Sequence, residues 1–173
     1  VVGVGSVGTR AWVILLVGRD ERDPLILQAK EALPSVLEPF VGAGSHASNG
    51  ERVVAGQRLM QPASDIFLGW TRGGEERDFY VRQLRDWKGS AETDGPKAAE
   101  TLGAYAGLCG QTLARGHARS GDPVAIASYL GTSDRIVTAM TTFAERYAAL
   151  NLEDFARFEQ AVTDGRLVAA DTP

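Results

Sequence analysis

Apolar and polar positions follow different patterns in the two parts of the chain. Up to about residue 90, short runs rich in β-branched and aromatic residues are bounded by Gly, Asp and Pro, which is typical of strands and hairpins. Beyond that point, apolar residues recur every three or four positions, the period of a helix. The pattern predicts an α+β protein with a sheet-rich region at 1–90 and a helical region at 91–173.

The first region is predicted to contain five strands and one helix. Strands are expected at 1–4, 11–17, 25–32, 65–70 and 78–84. The first three follow one another closely, and we expect them to be antiparallel neighbours. A helix is expected over 50–61, with Asn49 as its cap and Pro62 near its end. The result is a sheet lobe with one inserted helix.

The second region is predicted to be helical after a linker at 89–96. Helices are expected at 97–117, 123–130, 133–150 and 151–165. Aromatic residues recur at helical spacing along the last two helices, and we expect them to form a core between these helices: Phe143, Tyr147, Phe155 and Phe158.

Composition and charge exclude several classes of protein. The chain has 18 basic and 22 acidic residues, so it lacks a general electrostatic attraction for nucleic acid or for an anionic membrane. The longest apolar run, Ala11–Val17, is far shorter than the roughly 20 residues that cross a bilayer. The single cysteine, Cys109, is expected to be a buried thiol in a reducing, cytoplasmic compartment. Because Val1 opens a predicted strand without a preceding methionine, we expect an upstream segment.

A glycine-rich segment at the start has the spacing Gly-x-Gly-x-x-Gly, formed by Gly3, Gly5 and Gly8. In a dinucleotide-binding fold a helix follows the third glycine, but residues 11–17 have a strong strand pattern. A Walker phosphate loop ends in a lysine followed by Ser or Thr, and Gly8-Thr9-Arg10 has no lysine. A glycine loop between two strands is instead typical of the flap over the nucleotide phosphates in kinase-like folds.

A kinase-like flap predicts further features in a fixed order. Lys30, on the third predicted strand, is expected to neutralise phosphate charge beneath the flap. Glu51, at the start of the inserted helix, is expected to hold that lysine in place, with Glu31 and Glu38 as rivals. After two more strands, residues 83–85 stand where a hinge would offer backbone groups to an adenine. The predicted nucleotide-binding residues are Gly3, Gly5, Ser6, Gly8, Lys30, Glu51, Gln83, Leu84 and Arg85.

Each of these features also has an ordinary structural interpretation. The glycines could shape a tight hairpin, Lys30 could be a charge that protects an edge strand, and Glu51 could be a first-turn acid of a helix. In the second region, His117 and Asp122 are candidates for a general base. Asp122 is first interpreted as a helix cap before Pro123. No metal-ligand cluster is predicted.

Seven segments, at 1–10, 28–32, 50–54, 57–61, 64–70, 80–86 and 113–122, resemble the bacterial domain-of-unknown-function family 2252. The resemblance covers nearly the whole chain. Longer members of that family carry upstream Gly-Asp-x-His-x-x-Asn and Asp-Phe-Asp stretches, similar to the catalytic and metal-binding loops of aminoglycoside-phosphotransferase-like kinases. Neither stretch occurs in these 173 residues. The resemblance therefore implies a kinase-like sheet lobe in a partial chain that is inactive alone, with its Mg²⁺ ligands upstream.

The leading hypothesis is the ATP-binding portion of a kinase-like phosphotransferase that acts on an unknown small-molecule or protein acceptor. ATP with Mg²⁺ is the expected cofactor pair. The alternative is a non-catalytic module that keeps the kinase-like shape for binding or scaffolding. A third expectation is self-association through the surface that a missing upstream segment would leave exposed.

Overall fold

The computed structural model describes residues 8–20, 22–84 and 95–168. It contains strands β1 (Ala11–Val17), β2 (Pro24–Glu31), β3 (Gly69–Arg72) and β4 (Asp78–Gln83). Its α-helices are α1 (Glu38–Val41), α2 (Asn49–Met60), α3 (Ala98–Ser120), α4 (Pro123–Leu130) and α5 (Arg135–Thr163), with a short 3₁₀ turn at Gly74–Glu76. The chain divides into two compact units, Val1–Pro123 and Val124–Pro173.

The four strands described in the first unit form one antiparallel sheet in the order β1-β2-β4-β3. β1 and β2 are consecutive in the chain and pair along their whole length, from Ala11 opposite Lys30 to Val17 opposite Pro24. Their connection is closed by a hydrogen bond from the Gly18 amide to the Asp23 carbonyl at 2.8 Å. The predicted α+β class and the predicted antiparallel pairing of these two strands are confirmed.

Helix α2 lies against one face of the sheet and contributes Val54 to a small core that also contains Ala29, Ala32, Leu68 and Phe79. Val54, near its middle, is completely buried. Gly50 is so close to β3 and β4 that a Cβ atom there would lie 2.6 Å from the Phe79 carbonyl oxygen and 2.9 Å from the Trp70 Cβ. Glycine is therefore required for this close approach of helix and sheet.

Helix α3 packs on the far end of α2. A Cβ atom at Gly116 would lie 2.6 Å from the Met60 sulfur, so the two helices approach closely there. Because of this packing α3 belongs to the same compact unit as the sheet, and the units divide after Pro123. The sheet-rich and helical regions at 1–90 and 91–173 stay a prediction as domains.

Two boundaries in the first unit differ from the sequence prediction. Ser48, not Asn49, caps α2, because its side-chain oxygen accepts the Glu51 amide. The strand expected at 65–70 begins only at Gly69. Asp65 forms a side-chain turn instead, because its Oδ1 accepts the Phe67 amide at 2.8 Å, which is the usual competitor of extended structure at Asp. The predicted strand at 1–4 and most of the linker at 89–96 lie outside the described residues.

In its described residues the second unit consists of α4 and a single 29-residue helix, α5. The two helices predicted on either side of Asn151 are one, because the chain between Ser133 and Asp164 contains no glycine or proline that would end it. Gly165, with φ +70°, stands just beyond its end.

The predicted core of aromatic side chains between two helices is wrong. The stripe exists, but its side chains are more than half exposed and contact each other along α5: Phe143 with Tyr147 at 5.6 Å between ring centroids, and Phe155 with Phe158 at 6.5 Å. Cys109 on α3, expected to be buried, is exposed. Within the described parts of the chain, no helix combines the length and apolar character that a membrane span requires.

Candidate functional site

Four residues form one row across the sheet. Ala11 pairs with Lys30, Lys30 with Tyr80, and Tyr80 with Trp70. Directly opposite residues of neighbouring strands project to the same side of a sheet. Since the Trp70 side chain begins against Gly50 of α2, Lys30 lies on the face that α2 covers.

We call this side of the sheet the lysine face and define it by Gln28, Lys30, Trp70, Tyr80 and Arg82. Arg82 donates to Gln28 Oε1 through Nη2 and Nε, at 3.3 and 3.4 Å, and its guanidinium lies 6.0 Å from the centre of the Tyr80 ring. Lys30 and Arg82 together give the face two cationic side chains on adjacent strands. Such a surface is suited to an anionic ligand.

Helix α2 adds a third cation to the lysine face. The guanidinium of Arg58 lies 6.0 Å from the Trp70 ring centre, and its Nη2 donates to the Leu68 carbonyl oxygen at 2.7 Å. These contacts hold the Arg58 side chain between the last turn of α2 and the start of β3. The helix and the row of residues that includes Lys30 are thus joined by a side chain as well as by packing.

The last glycine of the glycine-rich segment stands three residues before the strand partner of Lys30. Gly8, with φ +78°, precedes β1 by three residues, and the first residue of β1, Ala11, is the partner of Lys30. The strand expected after Thr9 is confirmed, and the helix that a dinucleotide-binding fold would need is absent at Ala11–Val17. Gly3, Gly5 and Ser6 lie outside the described residues, so their predicted contact with phosphate stays a prediction.

Glu51 has the contacts of a helix-capping residue. Its Oε2 accepts the Ala47 amide at 2.8 Å, and its own amide donates to Ser48 Oγ at 3.1 Å. These bonds satisfy the amides of Ala47 and Glu51 on either side of the cap Ser48, in a variant of the capping box in which the carboxylate accepts the amide before the cap. A place in the first turn of a helix is one of the two roles that the sequence allows for Glu51. The other role, a contact with Lys30, stays a prediction.

The predicted hinge residues stand at the end of β4. The Gln83 amide donates to Asp65 Oδ2 at 2.6 Å, and the Leu84 amide donates to the Ile26 carbonyl at 2.9 Å. Both amides are therefore used within the chain, and an adenine would have to contact other groups of this segment. Arg85 lies outside the described residues. The predicted hinge contact stays a prediction.

Next to this segment is a polar pocket of about 290 Å³ between the end of α2 and the end of β4. Two charged groups, Asp65 and Arg82, lie in its wall, and the side chains that complete its polar lining are Gln57, Gln61 and Gln83. Amide side chains both donate and accept hydrogen bonds, so the pocket can bind a polar ring.

The two general-base candidates of the second region are found at helix ends. His117 is exposed in the last turn of α3, and Asp122 stands immediately before the first residue of α4, Pro123. A side-chain contact between His117 and the lysine face is not found among the described residues. In that same part of the chain, no three His, Cys, Asp or Glu side chains come together to hold a metal ion.

The opposite side of the sheet has a charge cluster around the buried Glu31 that the sequence did not predict. Glu31 is 9% exposed and accepts the Arg10 amide at 3.0 Å and Arg77 Nη1 at 2.9 Å. The Arg10 amide, followed by Arg77, holds the pKa of Glu31 below its usual value. Arg77 also donates to Glu75 at 2.8 and 2.9 Å, which lowers the pKa of Glu75 and raises that of Arg77.

This cluster lies at one end of an open apolar groove of about 610 Å³. The apolar side chains of the groove come from three strands and include Trp12, Ile14, Ala29, Phe79 and Val81. The only sequence signal was the position of Glu31, one residue after Lys30, because successive strand residues project to opposite faces. Glu31 is therefore separated from Lys30 by the sheet.

The described residues define an α+β protein in which a helix covers the lysine-bearing face of a four-stranded antiparallel sheet. Residues 1–161 match the model of the domain-of-unknown-function family 2252, described as an uncharacterised protein conserved in bacteria, and the chain belongs to this family. No curated protein and no solved structure matches the chain.

Proposed function

We propose that this chain is the nucleotide-binding portion of a kinase-like phosphotransferase. The observation that carries the proposal is the row formed by Ala11, Lys30, Tyr80 and Trp70, which begins three residues after Gly8 and ends at Trp70, against Gly50 of α2. In kinase-like folds a strand lysine between a glycine loop and a helix contacts the nucleotide phosphates.

In this proposal the cations of the lysine face bind the polyphosphate. Lys30 is assigned to the phosphates, and Arg82, one strand away, adds positive charge where its bond to Gln28 fixes its direction. The polar pocket lined by Gln57 and Gln83 is assigned to the nucleotide base. Mg²⁺ would neutralise phosphate charge, and its ligands are assigned to the upstream acidic stretch that longer members of the family carry.

The direct test is ATP binding by the complete protein, measured by calorimetry with Mg²⁺ present. Lys30→Met removes the ammonium and keeps a long apolar stem. A lost charge-assisted contact corresponds to a weakening of roughly 10- to 100-fold. The matched control is Lys97→Met, because Lys97 is exposed at the start of α3. Unchanged affinity in Lys30→Met, or equal losses in both variants, would contradict the proposal.

The second candidate function is a binding module without catalysis, and the exposed apolar surface favours it. β1 exposes apolar side chains on both faces of the sheet, including Trp12 at 59% and Val13 at 64%. Apolar surface of this extent marks a site of contact with another protein surface. A complete protein that binds a partner through β1 and does not bind ATP would support this function over the first.

A further inference from the structure

The side chain of Arg119, in the last turn of α3, contacts the backbone at the end of α2. Its Nη1 donates to the carbonyl oxygens of Gln61, Leu59 and Arg58, at 2.8, 3.0 and 3.3 Å. The last carbonyls of a helix have no partner within the helix and carry its negative dipole end. One guanidinium therefore satisfies several of these groups with a favourable charge.

The same junction is closed by packing. Gly116 lies one turn before Arg119 on α3, and its lack of a side chain admits Met60. Gly116 is also the only buried residue of α3. The end of α2 is thus fixed to the last turns of α3 by one glycine contact and one arginine.

Arg58 links this junction to the lysine face. Its carbonyl oxygen accepts Arg119, while its side chain donates to Leu68 and lies over the ring of Trp70. Trp70 is in the same row as Tyr80 and Lys30. A shift in the last turn of α2 would therefore move a guanidinium that contacts the lysine face.

We infer that Arg119 is a positioning residue that sets where the end of α2 lies on the lysine face, and that it couples α3 to this site. Its effect on ATP affinity rests on the proposed function, whereas its effect on the position of Arg58 relative to Trp70 does not. Coupling between residues is established by measured non-additivity and not by adjacency. The test must therefore combine a spectroscopic measurement with a double-mutant cycle.

The first measurement reports on Trp70 without ATP. Trp12→Phe and Trp87→Phe together leave Trp70 as the only tryptophan, because the chain has three. In that protein Arg119→Ala is expected to change the intensity or wavelength of Trp70 emission, because Arg58 moves relative to the ring. Arg119→Lys, which keeps a cation with three donors, is expected to restore most of the signal. Arg115→Ala, one turn earlier on α3, is the matched control and should have no effect.

The second measurement is ATP affinity of the complete protein. Arg119→Ala is expected to weaken binding about fivefold, within the range seen for residues that act through others. In the Arg58→Ala background the same substitution is expected to have less than about half of that effect, because the link is already broken. If Arg119→Ala does not fold, Gly116→Ala is the substitute variant. Its added Cβ displaces Met60 at the same junction and should also weaken ATP binding.

The outcomes separate this inference from the proposed function. If Lys30→Met loses ATP while Arg119→Ala changes neither ATP affinity nor Trp70 emission, the inference is wrong and the function stands. If Trp70 emission responds to Arg119 but no variant binds ATP, the positioning role stands and the function is wrong. Additive effects of Arg58→Ala and Arg119→Ala on both measurements would overturn the coupling.

Discussion

Asp78 binds the first residue of α2 to the sheet: its Oδ2 accepts the backbone amide of Asn49 at 2.8 Å. Asp78 is the first residue of β4, and its Oδ1 accepts Arg72 Nε at 3.3 Å. The Asn49 amide is the main cause of a lowered pKa of Asp78. A carboxylate at a helix N-terminus also stabilises the helix dipole.

Removing this carboxylate should destabilise the first unit. Asp78→Ala is expected to lower the free energy of unfolding by about 1–3 kcal/mol, because it deletes a hydrogen-bonded charge and leaves an amide without its partner. Urea unfolding followed by circular dichroism measures this change. Asp154→Ala on α5 removes an exposed carboxylate paired with Arg157 at 3.4 Å and should change stability by no more than about 0.5 kcal/mol. Equal losses in the two variants would show that Asp78 does not anchor α2.

Two glycines of α2 should respond to alanine with opposite signs. At Gly50 a Cβ meets the Phe79 carbonyl and the Trp70 Cβ, whereas at Gly56 nothing lies within 4 Å. Gly50→Ala is expected to lower the free energy of unfolding by about 1–3 kcal/mol through overpacking. Gly56→Ala is expected to raise it by about 0.5–1 kcal/mol through helix propensity. Thermal or urea unfolding of the pair checks the prediction, and a stabilising Gly50→Ala would contradict the close packing of helix and sheet.

The buried carboxylate of Glu31 should make stability sensitive to acid. Its pKa is lowered below the usual 4.5 by the Arg10 amide and the Arg77 guanidinium. A carboxyl group with a lowered pKa in the folded state stabilises the protein above its unfolded-state pKa, and this is lost as the pH falls through the folded-state value.

We therefore expect the free energy of unfolding to fall as the pH is lowered from about 4.5, the usual value. Urea titrations at a series of pH values from neutral to acid measure this slope. Glu31→Gln should be less stable at neutral pH and should show a shallower acid slope, because the titrating group is gone. An unchanged slope in this variant would assign the acid sensitivity to other carboxylates.

Asp65 should hold the end of β4 in place. Its two oxygens accept the amides of Gln83 and Phe67, at 2.6 and 2.8 Å. Asp65→Ala is expected to lower the free energy of unfolding by about 1–3 kcal/mol and to speed hydrogen exchange at the Gln83 amide. Asp65→Asn keeps one acceptor oxygen and should lower the free energy of unfolding by less. Exchange at Gln83 that is the same in all three proteins would contradict this role.

Local pattern was sufficient for most helices and strands of the described chain. β1, β2, β4 and α3 begin and end within a few residues of their predicted bounds, because the period of apolar residues is a local property. The helix start predicted at Asn151 is wrong, because α5 continues through this position. One polar residue does not end a helix, since it keeps its backbone hydrogen bonds.

The contacts of the site depend on distant parts of the chain, and the sequence pattern does not contain them. Arg77 and Glu31 are 46 residues apart, and Arg119 is 58 residues from Gln61. The sequence predicts that Lys30 lies on a strand and that a helix follows it. That α2 covers the same face follows only from the pairing of Lys30 with Tyr80 and of Tyr80 with Trp70. A periodic apolar stripe likewise shows which side of α5 is apolar but not what covers it.

The attachment of α2 to α3 has an uneven tolerance to mutation. All three acceptors of Arg119 are backbone carbonyls, which every amino acid supplies. Exchanging the side chains at 59 and 61 therefore leaves the acceptors in place, whereas substitution of Arg119 removes the donor. Random mutagenesis of this junction should find the changes that loosen the contact between the two helices concentrated on the α3 side.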